Sequence, residues 1–140
     1  MFNNCYNLKE LNISNFNTKN AIYFNYMLNG CKKIKQVDIS KFNTSSCHEI
    51  NYMFNGCESI NEVDMINWDM ANITYMNYLF NGCKNLSEIK LNLNFKNESN
   101  LNKTNTFNGI PDSGELTLKN IKCKALYGDL PQSWKWVIVN

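Results

Sequence analysis

The sequence predicts an α/β solenoid, in which stacked strand–turn–helix units share one parallel sheet on the concave side and carry short helices on the convex side. Three observations predict it. The chain repeats itself every 26 residues, one set of apolar positions in each repeat alternates as a strand does, and another recurs with helical offsets before an Asn-Gly stop. Self-similarity at a period of roughly 20–50 residues means supersecondary units that bury their apolar faces against one another.

The repeat is clearest in MFNGCESINEVDMINWDMANITYMNY, residues 53–78. Shifted back by 26 positions it lies on residues 27–52, and by 26 more on residues 1–26. Shifted forward it lies on the stretch from Leu79, which carries one extra residue before Phe107-Asn108-Gly109. Within each copy, L-x-x-L-x-L (Ile60, Val63 and Met65 in the third) ends in apolar residues alternating with polar ones, a half-buried strand signal. Strands are expected at 11–13, 37–39, 63–65, 89–91 and 116–118. The other half of the repeat places apolar residues at Ile73, Met76, Leu79, Phe80 and Cys83, offsets that describe one face of a short helix. Helices are therefore expected near 21–29, 47–55 and 73–81, with a shorter or irregular one near 100–107.

The expected helix ends are also written in the residues. Asn20, Ser46 and Asn72 stand where a side-chain oxygen can accept from an orphan amide, and Ser46 with Glu49 makes a capping box. Gly30, Gly56 and Gly82, with Asn4 in the first copy, suit the left-handed position after a helix. A helical crossover requires the strands it joins to be parallel. Residues 1–110 are then four repeats of 26 or 27 residues, and residues 111–140 are a C-terminal capping segment of the same domain.

The pattern MF-x-x-C-x-x-L-x-x-L-x-(L/I)-S-x-F-x-T resembles the BspA-like leucine-rich repeats of bacterial and protist surface proteins, over residues 1 to about 110. The resemblance implies a right-handed leucine-rich-repeat solenoid, cell-surface display, and adhesion to a host or neighbouring-cell protein or glycan. It implies no catalytic residues.

At 140 residues and 44% apolar content the chain has room for one core. A net charge of +2, spread over lysines in runs no longer than two, does not point to nucleic acid or to a membrane surface. Asparagine fills about a fifth of the chain, which codon bias in an AT-rich genome explains; the Asn-x-Ser/Thr triplets are then accidents of composition. No membrane-spanning run and no signal peptide are present, and Met1 occupies the repeat's own Met27/Met53 position. The expectation is a fragment of a longer exported protein, at the cell surface or secreted, with its signal elsewhere and no direct membrane insertion in this segment.

Six cysteines could mean disulfides or metal, but Cys5, Cys31, Cys57 and Cys83 occur once per repeat at an interior position and predict a column of buried thiols. No C-x-x-C occurs, and no metal or other cofactor is expected. His48, the only histidine, has no nucleophile placed beside it by any motif. Trp134 and Trp136, on one strand face with Ile138, are expected to cover the end of the core.

Strand residues pointing away from the core define the candidate binding face: Glu10 and Asn12, Gln36 and Asp38, Glu62 and Asp64, Glu88 and Lys90, one pair per repeat. Parallel strands lie about 4.8 Å apart, so stacked carboxylates such as Glu62/Glu88 and Asp38/Asp64 are expected to repel one another, which favours a cationic or hydrogen-bond-donating partner. Tyr26, Tyr52 and Tyr78 form a further column, suited to packing between repeats or to recognition. The function expected is a non-enzymatic recognition module. A structural spacer is the first alternative and an enzyme the second.

Overall fold

The computed structural model describes all 140 residues. Four strands, β1 (Glu62–Met65), β2 (Glu88–Asn92), β3 (Glu115–Lys119) and β4 (Lys135–Val139), form one parallel sheet in the order β1-β2-β3-β4. The register follows the repeat: Val63 pairs with Ile89 and Ile89 with Leu116. Val63, Met65, Ile89, Leu91, Leu116 and Leu118 point into the core, and the residues between them stay half-exposed. Alternation therefore reads these three strands correctly. Segments 11–13 and 37–39 run in the expected places but take no part in the sheet; Leu11 and Val37 are only partly buried, where Val63 and Ile89 are fully so. Three of the five expected strands therefore form, as β1, β2 and β3, the two at 11–13 and 37–39 do not, and β4 from the terminal segment adds a fourth at the other edge.

The helices do not form. The only helical element is a single 3-10 turn, Glu98–Asn100, and residues 21–29, 47–55 and 73–81 are chains of tight turns. The reason lies in where the amides go. Met27, Asn29 and Cys31 donate three residues back, to Phe24, Tyr26 and Leu28, closing successive turns. The alternate amides of Phe24, Tyr26, Leu28 and Gly30 leave the coil and donate to Glu49, Asn51, Met53 and Asn55 of the next. An α-helix would keep every one of those donors within its own segment. Tyr26, Tyr52 and Tyr78 also sit at φ of 57°, 57° and 56°, a left-handed conformation that breaks a right-handed helix at its middle. A chain of turns advancing three residues at a time gives nearly the same apolar spacing as a helix, so periodicity alone could not separate them. Ser46 and Glu49 accordingly make no capping box: the Glu49 carboxylate accepts from Asn25 at 2.7 Å.

One core of 36 buried residues runs through all the repeats. Cys31, Cys57 and Cys83 are fully buried, and each thiol donates to a carbonyl of the preceding repeat, Phe2, Leu28 and Phe54, at 3.0–3.1 Å. Cys5, expected in the same column, is exposed, because no coil covers it on its outer side. Trp68 is buried with its indole N–H on the Ile39 carbonyl at 3.1 Å. The threonine of each F-x-T is a staple between coils. Thr44 Oγ1 donates to Asp69 O at 3.1 Å and accepts from Asp69 N at 2.8 Å, and Thr18 does the same with Asn43.

Trp134 closes the other end, 4% exposed, with its indole N–H on Pro111 O. It lies flat over Gly114, where a Cβ would stand 2.6 Å from Ser87 O and 2.8 Å from the ring. Only glycine fits there. Trp136 packs edge-on against Tyr127, while Ile138 is left 46% exposed.

Candidate functional site

Side chains on the outer face of the sheet arise from alternation, so their positions are fixed by the core residues between them. In β1 and β2 that places Glu62, Asp64, Glu88 and Lys90 on one patch. Lys90 sits at its centre, with Nζ 2.8 Å from Glu62, 3.0 Å from Glu88 and 3.7 Å from Asp64. The expected repulsion of stacked Glu62 and Glu88 is thus relieved by Lys90, which stands beside them in the Asp64 column. Hydrogen bonds to Glu62 and then Glu88 raise the Lys90 pKa, so it stays charged well beyond the ordinary lysine range. Three carboxylates against one ammonium leave the patch at a net −2. At the next rung Lys135 pairs with Glu115 at 2.7 Å.

The aspartates of the second column have local work as well. Asp38 accepts from the amide of Ser40 at 3.0 Å and from its hydroxyl at 2.6 Å, which lowers its pKa. Asp64 accepts from Ile66 N at 3.0 Å, and Asn12 from Ser14 N at 3.1 Å. Each turns the chain out of the strand position, so the Asn-Asp-Asp column is a set of turn caps.

Glu10, Gln36 and Asp38 lie apart from the Lys90 patch. They line an open hollow of about 840 Å³ with Lys9, Lys33 and Lys35, three lysines without ion-pair partners. A smaller hollow of about 330 Å³ joins Gln36 and Asp38 to Glu62 and Asp64. Seven of the eight candidate residues therefore form two adjoining parts, acidic around Lys90 and mixed in charge beside Lys9, while Asn12 lines neither hollow and bonds to Ser14.

The turn side carries ladders. Tyr26, Tyr52 and Tyr78 stack with ring centroids 4.7 Å apart and planes within 6–8° of parallel. That is packing between coils. Asn29, Asn55, Asn81 and Asn108 each donate from Nδ2 to the Oδ1 of the asparagine one rung before, at 2.6–2.7 Å, starting from Asn3. In a second ladder, the amides of Asn51, Asn77 and Thr104 donate to the side chains of Asn25, Asn51 and Asn77 at 2.8–2.9 Å. Codon bias thus leaves out why these asparagines recur in register. The signal was there: identical residues at fixed phase, away from any codon-random distribution. Glu58 bridges Lys32 and Lys84 on the same side at 3.1 Å, and those two lysines lower its pKa. His48 is exposed, with Nδ1 2.9 Å from Ser46 O.

The arrangement defines a mostly sheet, stacked-repeat protein, with one parallel four-stranded sheet and a turn side bonded from rung to rung. The chain belongs to the family described as Mycoplasma protein of unknown function, DUF285, which covers residues 1–113. No curated protein and no solved structure matches it. No helix is long and apolar enough to cross a membrane.

Proposed function

We propose that this chain is a non-enzymatic recognition segment of a surface-displayed protein, a leucine-rich-repeat-type solenoid that binds a protein or glycan through the outer face of its sheet. The observation that supports this reading is the patch around Lys90. Glu62, Asp64 and Glu88 are held by backbone pairing on a rigid face, half-exposed, and carry more charge than Lys90 neutralises. Such an array pre-orients acceptors for a partner rich in cations or donors, and charge complementarity of this kind governs specificity and association rate. Adhesion and surface display come from the resemblance of the M-F-x-x-C repeat to BspA-like proteins.

The test is a glycan array and a pull-down from host-cell extract, run with the parent and with a Glu62→Gln/Asp64→Asn/Glu88→Gln variant. The reading expects ligands that the parent retains, the variant loses, and added salt weakens. Equal capture by both chains would move the site off this face.

A further inference from the structure

The open hollow of about 840 Å³ differs from the Lys90 patch in both sign and lining. Two of its lysines, Lys33 and Lys35, belong to the second repeat, which has a coil on either side, and neither forms an ion pair. One repeat further on the same positions are Ser59 and Asn61, which also line the hollow. Their amides donate to the carbonyls of Lys32 and Lys35 at 3.1 and 3.2 Å, so main-chain bonds fix this wall. Their side chains are left over. At the following rung Asn85 Nδ2 donates back to Glu58 O at 2.8 Å and Ser87 Oγ to Asn61 O at 3.2 Å, whereas Ser59 and Asn61 make no such bond to the second repeat. Asp38 spends only Oδ1 on Ser40. Val37, also in the lining, is only partly buried although coils flank it, where its equivalents Val63 and Ile89 are 1% and 0% exposed.

We propose that this hollow binds an acidic sugar, a glycan unit carrying one carboxylate or sulfate. Lys33 and Lys35 donate to the anionic group. Gln36, Ser59 and Asn61 offer neutral donors and acceptors to the ring hydroxyls, Asp38 Oδ2 accepts from one of them, and Val37 meets the C–H face of the ring. The volume lies in the range that encloses a small ligand, and a few convergent polar groups beside an apolar wall are what fixes its orientation. Charge then selects among anions. Lys9 and Glu10 offset one another, and Lys33 with Lys35 exceeds Asp38 by a single charge. That suits one anionic group set among hydroxyls. A nucleic acid or an acidic peptide would bring its further charges against Glu10 and Asp38, a repulsion that counts against such partners. The site is separate from the cation-seeking patch around Lys90 and does not depend on it.

The probes are a monosulfated disaccharide, its uronate-terminated counterpart, the neutral disaccharide, inorganic sulfate and triglutamate, each titrated into the full 140-residue protein and followed by amide chemical shifts. At least one acidic disaccharide should shift Lys33, Lys35, Gln36, Ser59 and Asn61, and which of the two does so identifies the anionic group. It should bind about tenfold or more tightly than the neutral sugar, in line with about one charge-assisted hydrogen bond. Lys33→Gln/Lys35→Gln, at two exposed positions, should lower its affinity by a similar factor, whereas Lys122→Gln/Lys124→Gln removes the same charge elsewhere and should bind as the parent does. The Glu62→Gln/Asp64→Asn/Glu88→Gln variant should bind at least as tightly as the parent, which separates this site from the Lys90 patch. Absence of shifts at the five residues with millimolar acidic disaccharide overturns the proposal. So does inorganic sulfate or triglutamate binding as tightly as the sugars, which is charge attraction alone, or equal binding by the Lys33→Gln/Lys35→Gln protein.

Discussion

The buried thiols make stability sensitive to alkali, and the size of the effect follows from their burial. Desolvation pushes Cys47 and Cys83 up to about 12, and Cys57 further still, with its neighbours Cys83 and Cys31 adding to the shift. In the unfolded chain a thiol titrates near its ordinary value, roughly 8.5–9. A folded-state pKa above the unfolded one means that stability is fully present below about pH 8.5 and is lost as pH rises towards the folded value. Each such thiol then removes about 1.4 kcal/mol per pH unit across that window. Between pH 9 and pH 11 three thiols together remove on the order of 8 kcal/mol, comparable to the whole stability of a small domain. Lys90 and Tyr52, whose pKa values are also raised, act in the same direction, so the parent alone does not isolate the cysteines. A Cys57→Ala variant does. Its urea-unfolding free energy should start lower by about 1–2 kcal/mol at pH 7, from the deleted sulfur. It should then fall less steeply above pH 9, by about 1.4 kcal/mol per unit. Parallel slopes for parent and variant would refute the reasoning.

Gly114→Ala places a methyl group against Ser87 O and the Trp134 ring and should destabilise by about 1–3 kcal/mol in thermal melts, whereas Gly128→Ala, with open space around it, should change little. Thr44→Val leaves the Asp69 amide without its acceptor and should cost about 1–3 kcal/mol by chemical denaturation; Thr44→Ser should recover most of that. Glu62→Gln/Glu88→Gln should lower the Lys90 pKa, read by side-chain nitrogen shifts, while stability changes by no more than about 1 kcal/mol because the pairs are partly solvated.

The repeat period, the parallel pairing of β1, β2 and β3, their inward residues and the burial of Cys31, Cys57 and Cys83 were legible, because each depends on residues recurring in phase. Burial of Val63, Ile89 and Leu116 needs nothing beyond alternation. Two features were not. The helix expectation failed because turns chained between coils share the apolar spacing of a helix; what distinguishes them is where the Phe24 and Tyr26 amides go, a property of neighbouring rungs. Of the candidate face, the column positions followed from register, but the closing of Lys90 on Glu62 and Glu88 depends on side-chain reach across one rung. The turn-capping role of Asp38 was visible in principle, since Asp-x-Ser is a turn signal, and it competes with the reading of that residue as a free binding group.

Rung-to-rung bonding on the turn side is tested most directly by scalar couplings across hydrogen bonds, which connect an amide nitrogen to the carbonyl carbon that accepts from it. For Tyr52 the partner should be the carbonyl of Asn77, 25 residues ahead in the chain, at a donor–acceptor distance of 2.9 Å. A coupling from Tyr52 to the carbonyl of His48, the partner an α-helix would give it, would contradict the stacked arrangement.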